Sequence, residues 1–506
     1  MTYREVLSPG EERVERLRKL SGIFLGPLVF FVLYLVPLGS MPPVQQRLTA
    51  VIGLVIVLWL TETIPIPVTA MLGAVLNVLL GVAPAKVVFA PFAHPLVFLF
   101  IGSFILAEAI TYHGLDRRFA FAIFSIKFLH KSPSRVLFTI GLICALVSMG
   151  ISNTASTAMM LPIAIGVLGA MKGIHMETGG GYDFKKFSTA MMLMVAYGAS
   201  VGGIATPIGT PPNVIGLGMM EQLAGMKISF YEWMVFALPI TSVMFIYLFL
   251  ILKRGTKGSG ADISGIETYI TKARAELGAW SRGEKNTAVC FYLAVFLWVL
   301  PSFVGIILGK GAPLSVLLSS RLNVGVVAVI AATLLFILPV SLKEGEFTMD
   351  WKRAVNIDWG TVLLFGGGLS LGSLMFKTGL ATFFGDALTG FTGASSLLGI
   401  TAIGTILAII LSETTSNTAS ANMIIPVMIA IALGAGVSPI PPALGATLGA
   451  SFGFMLPVST PPNAIVYGSG YVTILSMVRK GILFDIGGFF IIMAGVILMT
   501  RLLGWS

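Results

Sequence analysis

The sequence predicts an all-α polytopic membrane protein with about eleven transmembrane helices and two re-entrant hairpins, laid out as inverted repeats. Three observations lead there. Of 506 residues, 56% are hydrophobic and only 11% are charged, whereas soluble domains carry roughly a quarter. The basic residues gather in alternate loops, and the same short polar motifs occur twice in the same order. Mean hydropathy is +0.94, and the 58 Gly and 26 Pro suit membrane helices, where both are more frequent than in soluble ones. At roughly 20 residues per span the chain has no room for a large soluble domain.

The net charge of +10 reads as basic cytoplasmic loops, not as a nucleic-acid surface. Cys144 and Cys290 lie in apolar runs, so neither a disulfide framework nor a zinc site is expected. The tail Met1–Leu20 carries both signs of charge and no small-residue cleavage pattern follows it, which predicts a retained first helix.

Apolar stretches between turn and charge signals predict helices near 22–38, 50–66, 67–84, 95–113, 188–220, 231–252, 287–308, 323–341, 360–379, 441–470 and 482–502. Two further segments, 135–171 and 396–435, are interrupted at their middles by small polar residues. A straight helix of either length would be roughly 55–60 Å, about twice the hydrocarbon thickness. Each is therefore expected to enter and leave by the same face. The aromatic and basic stretch Leu115–Lys131 predicts a helix in the membrane interface. Residues 253–286 read as a solvated cytoplasmic linker between a first half, 1–252, and a second, 287–506.

The basic residues test this layout. With the N-terminus cytoplasmic and both hairpins returning to their own side, 25 of the 32 Lys and Arg fall inside and six outside, with Lys377 at a helix end. Treating either hairpin as a full crossing would spoil that asymmetry. The C-terminus is then expected outside.

The halves repeat each other. LFIGSFILAEAITYHGL at 99–115 matches LFGGGLSLGSLMFKTGL at 364–380; SNTASTAMMLPI at 152–163 matches SNTASANMIIPV at 416–427; ATPIGTPPNVI at 205–215 matches MLPVSTPPNAI at 455–465. Under the predicted sidedness the copies run in opposite directions. Inverted repeats with interrupted helices at matching positions point to a secondary transporter whose site lies between the repeats. Non-helical backbone at membrane depth is tolerated only where protein buries it or a cavity meets it. Ser-Asn-Thr at a hairpin tip offers three capping side chains and leaves a helix N-terminus facing the site. Thr-Pro-Pro-Asn breaks a helix, because two prolines remove N–H donors and bar the helical conformation before them. Freed carbonyls and hydroxyls then become oxygen ligands for a small cation, while N–H groups and the Asn amide are expected to face an anion.

At these residues the chain resembles the divalent anion/sodium symporter family, which includes sodium-coupled dicarboxylate and citrate carriers. The resemblance rests on Ser152-Asn153-Thr154, Ser416-Asn417-Thr418, Thr210 to Asn213 and Thr460 to Asn463, and covers nearly the whole chain. It implies a homodimer whose protomers each pair a scaffold with a mobile transport domain that works as an elevator. It also implies a first sodium site at Ser148, Ser152, Asn153 and the backbone around Gly209, and a second at Ser412, Ser416, Asn417 and the backbone around Ser459. Substrate carboxylates would meet Asn153, Thr154 and Thr210 on one side and Asn417, Thr418, Thr460 and Pro461 on the other.

No Lys or Arg lies within five positions of any of the four motifs. A dianion bound there needs another source of positive charge, and Na⁺ beside it would supply that and make affinity depend on sodium. The expectation is sodium symport of C4-dicarboxylates such as succinate, malate and fumarate across the cell membrane. The rival expectations are a sodium-independent dicarboxylate or anion exchanger, or a carrier of citrate or sulfate. Glu413, the acidic residue inside a motif block, either faces a cavity, tunes a cation site, responds to pH or caps its hairpin. An enzyme is not expected, since His94, His113, His130 and His175 show no paired spacing. A channel would leave the paired repeats without a purpose.

Overall fold

A computed structural model describes residues 9–39, 41–126, 132–178, 183–254, 264–383 and 396–505. Ten of its helices are long and apolar enough to cross a membrane, or eleven if Pro313–Arg321 and Val324–Ile337, bent by 61° at their junction, form one span. This set differs from the predicted one in its members. It includes the hairpin arms Asn153–Lys172, Leu397–Thr414 and Asn417–Gly434. It omits the two interrupted helices: Phe184–Gly203 is long enough but carries Lys185 and Lys186 in its first turn and ends in glycines, which lowers its hydropathy, while Pro211–Ala224, Ile440–Gly449 and Pro461–Tyr467 are short.

Two groups of helices pack among themselves. In the first, Pro9–Leu35 lies on Pro43–Thr61, Ile66–Leu79 on Trp359–Lys377, and Pro95–His113 on Val324–Ile337. The last pair approaches closely because Gly102 has no side chain: a Cβ there would stand 2.5 Å from the Ala328 carbonyl carbon. The second group holds both hairpins. Pro133–Ser148 packs on Phe184–Gly203, Leu397–Thr414 on Ile440–Gly449, and Phe230–Lys253 on Ile474–Leu502.

The interrupted helices exchange partners between halves. Pro211–Ala224, from the first half, packs on the second hairpin's Asn417–Gly434; Pro461–Tyr467, from the second half, packs on the first hairpin's Asn153–Thr178. Both short helices begin at the breaks, so this exchange brings the four motifs to one place.

Residues 264–286 differ from the solvated linker that was expected. Ser264–Glu276 is a helix docked on the first hairpin and on Leu115–Phe124, with Ile266 and Ile270 buried. Arg118 holds it down: its Nε meets Glu284 Oε1 at 2.6 Å, its Nη2 donates to Leu277 O at 3.0 Å, and its guanidinium lies 5.0 Å from the Trp280 ring. Polar composition suggested solvent, but the apolar residues fall four apart and make one docking stripe. Residues 255–263 of that segment lie outside the described residues.

The predicted interfacial helix is helical over Leu115–Phe124, and its residues 127–131 also lie outside the described residues. A two-stranded antiparallel ribbon, Pro339–Ser341 with Glu346–Phe347, had no warning in the sequence pattern.

Candidate functional site

The breaks come first, because they create the site. Thr210 has φ −145° and ψ 141°, and Thr460 has φ −145° and ψ 147°. Both are extended, as a residue before proline must be. Helix resumes at Pro211 and Pro461, where the missing N–H costs nothing.

The motif asparagines act differently from the expectation. Asn213 Nδ2 donates to Gly203 O, Ile204 O and Thr206 O at 3.1, 3.1 and 2.8 Å. Asn463 Nδ2 donates to Gly453 O at 2.8 Å and Leu456 O at 2.9 Å. These amides satisfy carbonyls freed by the breaks and do not face an anion. Asn213 and Asn463 are buried, which is where an unpaired carbonyl would be most costly.

The hairpin tips also divide their labour. Only the serines cap: Ser152 Oγ accepts from Ala155 N and Ser416 Oγ from Ala419 N, each at 3.2 Å. The asparagines turn back instead. Ser148 Oγ donates to Asn153 Oδ1 at 2.6 Å, and Ser412 Oγ to Asn417 Oδ1 at 2.7 Å. The two arrangements match across the repeat, and both Ser148 and Ser412 are fully buried.

Around Asn153 the oxygens converge. Its Oδ1 faces Ser148 Oγ, Ala199 O and Gly209 O, and an amide turned over would donate to them at 2.6, 3.1 and 3.3 Å. Turned over, the amide nitrogen satisfies all three oxygens without an ion; with Oδ1 toward them, the four oxygens make a ligand set suited to a small cation. Gly203 makes room for it, since a Cβ there would lie 2.3 Å from Asn153 Oδ1. At the second tip, Ser412 Oγ also lies 2.9 Å from Ala450 O, and Gly453 approaches Asn417 Oδ1. The carbonyls of Ala199 and Ala450 were missed by sequence reasoning, because a backbone oxygen carries no residue-type signal.

Glu413 turns inward, away from the cavity. It is buried, outside the cavity lining, and accepts from Phe454 N at 2.5 Å, Met455 N at 2.9 Å and Ser459 Oγ at 2.9 Å. It braces the second break and does not cap its hairpin toward solvent. Ser459, expected as a second-site ligand through its backbone, has its hydroxyl committed to Glu413.

One cavity of about 460 Å³ is lined by Ser152, Asn153, Thr154, Gly209, Thr210 and Pro211 from the first half. From the second half it takes Ser416, Asn417, Thr418, Ser459, Thr460 and Pro461. Every expected substrate residue is therefore at one surface, with Ser148 and Ser412 directly behind it. The N–H groups of Asn153, Thr154, Asn417 and Thr418 belong to first helical turns and have no intrahelical partner. Thr460 Oγ1 is buried without a hydrogen-bond partner.

The opposite wall comes from the other helix group: Phe100, Phe104, Glu108 and Thr111 on Pro95–His113, with Asn356, Asp358 and Thr361 at the start of Trp359–Lys377. Asp358 caps that helix, accepting from Thr361 N at 3.0 Å. Sequence reasoning missed this wall, since its polar groups are single residues on otherwise apolar helices. Among the described residues, no Lys or Arg lines the cavity.

An all-α polytopic membrane fold with two broken helices meeting two hairpin tips at one cavity defines a transport protein. Residues 18–506 match the family model described as the sodium:sulfate symporter transmembrane region, and the chain belongs to that divalent anion/sodium symporter family. It is 32% identical over 474 residues to the sodium-dependent dicarboxylate transporter SdcS of Staphylococcus saprophyticus, covering 93% of this chain and 89% of that one. It is likewise 32% identical over 467 residues to SdcS of Staphylococcus aureus strain USA300, covering 92% and 88%. The solved YdaH transporter of Alcanivorax borkumensis shares the fold at 14% identity and a TM-score of 0.55, covering 96% of this chain and 98% of that one.

Proposed function

We propose that this chain is a sodium-coupled symporter of C4-dicarboxylates. The observation that carries the reading is the cavity shared by all four motifs, with two helix N-termini and no basic side chain among its described lining residues, backed by the repeated Ser148–Asn153 and Ser412–Asn417 pairs. The first sodium site takes Ser148, Ser152, Asn153 and Gly209, together with the carbonyl of Ala199. The second takes Ser412, Ser416, Asn417 and Ser459, together with the carbonyl of Ala450.

Sodium at both positions supplies the charge that the side chains lack, so substrate and sodium each raise the other's affinity. Two helix N-termini reach the cavity from opposite repeats, which suits an anion with a carboxylate at each end. Asn153, Thr154 and Thr210 receive one carboxylate; Asn417, Thr418, Thr460 and Pro461 receive the other. Sulfate, a single compact anion, would leave one of these two ends unfilled.

Movement follows from the division of the cavity wall. The hairpins and broken helices carry the whole set of motif residues, while the opposite wall belongs to the other group, whose Trp359–Lys377 packs on Asn417–Gly434 and Pro211–Ala224. Sliding of the hairpin group against the group that holds Pro95–His113 and Trp359–Lys377 is an elevator step, with the latter as scaffold in a homodimer. The protein sits in the cell membrane with its N-terminus cytoplasmic and its C-terminus outside, in keeping with the distribution of basic residues.

Uptake of labelled succinate into proteoliposomes, with and without an inward sodium gradient and with citrate or sulfate as competitor, tests this function. Sodium-driven accumulation inhibited weakly by sulfate is expected. Equal uptake in both conditions would overturn symport in favour of exchange.

A further inference from the structure

A second cleft, of about 730 Å³, opens where Phe184–Gly203 and Ile474–Leu502 begin and Phe230–Lys253 ends. Lys185, Lys186, Arg254, Arg479 and Lys480 line it against a single acid, Asp183. That acid is already engaged: it caps its helix by accepting from Lys186 N at 3.1 Å and pairs with Lys186 Nζ at 3.0 Å. Lys480 Nζ donates to Ile251 O at 3.2 Å, which fixes the ammonium at the wall and leaves it further protons to offer.

The backbone adds to this charge. Two helices start at the cleft, one capped by Asp183 and one by Thr473 in a capping box with Ser476, so the positive ends of two helix dipoles point the same way. Thr189 Oγ1 donates to Tyr471 O at 2.8 Å and ties the two walls together. Leu193 and Leu252 form an apolar base, and Leu475 is exposed at the rim.

Basic residues do collect at the cytoplasmic ends of spans, but that tendency scatters them over loops. Here five converge on one concave surface at the ends of three membrane helices, over an apolar base. We infer that this cleft binds a phosphate-bearing anion, presented by an anionic phospholipid headgroup or free in solution. None of its residues lines the motif cavity, so the site is separate from the transported substrate. Arginine and lysine together suit phosphate, the first by its fork of donors and the second as a point charge. An anion there would bind the first broken helix to the last span.

The test is native mass spectrometry of the purified full chain titrated with phosphatidylglycerol or phosphatidylcholine, and calorimetry with inorganic phosphate. Wild type is expected to retain phosphatidylglycerol over phosphatidylcholine. The variant Lys185→Gln/Arg254→Gln/Arg479→Gln/Lys480→Gln should retain it at least about tenfold more weakly, since each basic group near the membrane surface contributes several-fold. Lys343→Gln/Lys352→Gln, which removes charge from two exposed positions outside the cleft, should bind as wild type does. Displacement of the lipid by millimolar phosphate, with phosphate binding alone, identifies a free anion as sufficient; lipid that phosphate does not displace identifies the headgroup with its chains. Equal retention by wild type and the cleft variant, or equal loss in the control, overturns the site. If the fourfold variant does not fold, Arg479→Gln/Lys480→Gln replaces it with an expected loss of about threefold, and retention equal to wild type overturns the site in the same way.

Discussion

Replacing Glu413 by Ala probes how the second break is held open. Its carboxyl group meets the buried Phe454 N–H, the half-buried Met455 N–H and the Ser459 hydroxyl, beside the buried Asp485 carboxyl. Ser459 keeps a second acceptor in Glu413 O at 2.9 Å, so its hydroxyl survives the change. The two backbone N–H groups have no such alternative. A buried donor left unmet costs about 1–3 kcal/mol; Phe454 N–H is the fully buried one, so the variant should be destabilised by about 1–3 kcal/mol. Ser412 and Ser459 flank the bracing group, and about 1.4 kcal/mol of that loss falling on the bound state is a tenfold change in affinity. The sodium concentration for half-maximal binding of labelled succinate should therefore rise at least about tenfold. Glu413→Gln, which keeps one acceptor oxygen, should fall between the variant and wild type. The matching residue in the first half is Met149, whose carbonyl accepts from Thr206 Oγ1 at 2.6 Å. Since Met149→Ala retains that carbonyl, it should leave sodium dependence nearly unchanged. A Glu413→Ala protein with half-saturating sodium within twofold of wild type would refute the bracing role.

Gly203→Ala places a Cβ 2.3 Å from Asn153 Oδ1, whereas Gly453→Ala meets its neighbours only at 3.0–3.1 Å; sodium-dependent binding should fall at least about tenfold in the first and much less in the second, and equal effects would contradict the two cages as described. Arg118→Ala removes the ion-pair partner of Glu284, which keeps Ser281 N–H at 2.6 Å, and should cost about 1–3 kcal/mol in unfolding experiments, with Arg118→Lys intermediate because it cannot reproduce the fork. Asp116, buried on the interfacial helix, has its carboxyl pushed up from 3.8 to about 6, chiefly by burial. The folded state then holds a proton that the unfolded state releases, so this residue's penalty is absent below pH 3.8, grows as pH rises through that window and is complete above about 6. Asp116→Asn should accordingly stabilise the protein by up to about 3 kcal/mol above pH 6 and by nothing near pH 4; a gain at pH 4 as large as at pH 7 would contradict the assignment.

Much of the site was legible because its chemistry is written in residue types that membrane helices otherwise avoid. Paired Ser-Asn-Thr and Thr-Pro-Pro-Asn blocks announce helix ends where hydrocarbon forbids loose backbone, and the structure puts all four at one cavity. What stayed hidden follows a rule as well. The carbonyls of Ala199 and Ala450 become visible only once the broken helices are folded against the hairpins. Asn213 and Asn463 were assigned to the anion because an amide can serve either partner; the freed carbonyls are nearer and claim it. Glu108 and Asp358 reach the cavity by the packing of distant helices, which local pattern does not encode. The Ser264–Glu276 helix was obscured by a polar majority around two buried isoleucines.

The central claim is that two matched oxygen cages hold the sodium that a site without basic side chains requires. Equilibrium binding of labelled succinate, titrated with sodium against a choline background, tests it in wild type, Asn153→Ala and Asn417→Ala. Saturable, sodium-dependent binding in wild type and its loss in both variants is the expected result. Binding unchanged by replacing sodium with choline, or sodium-dependent binding retained in both variants, would contradict it.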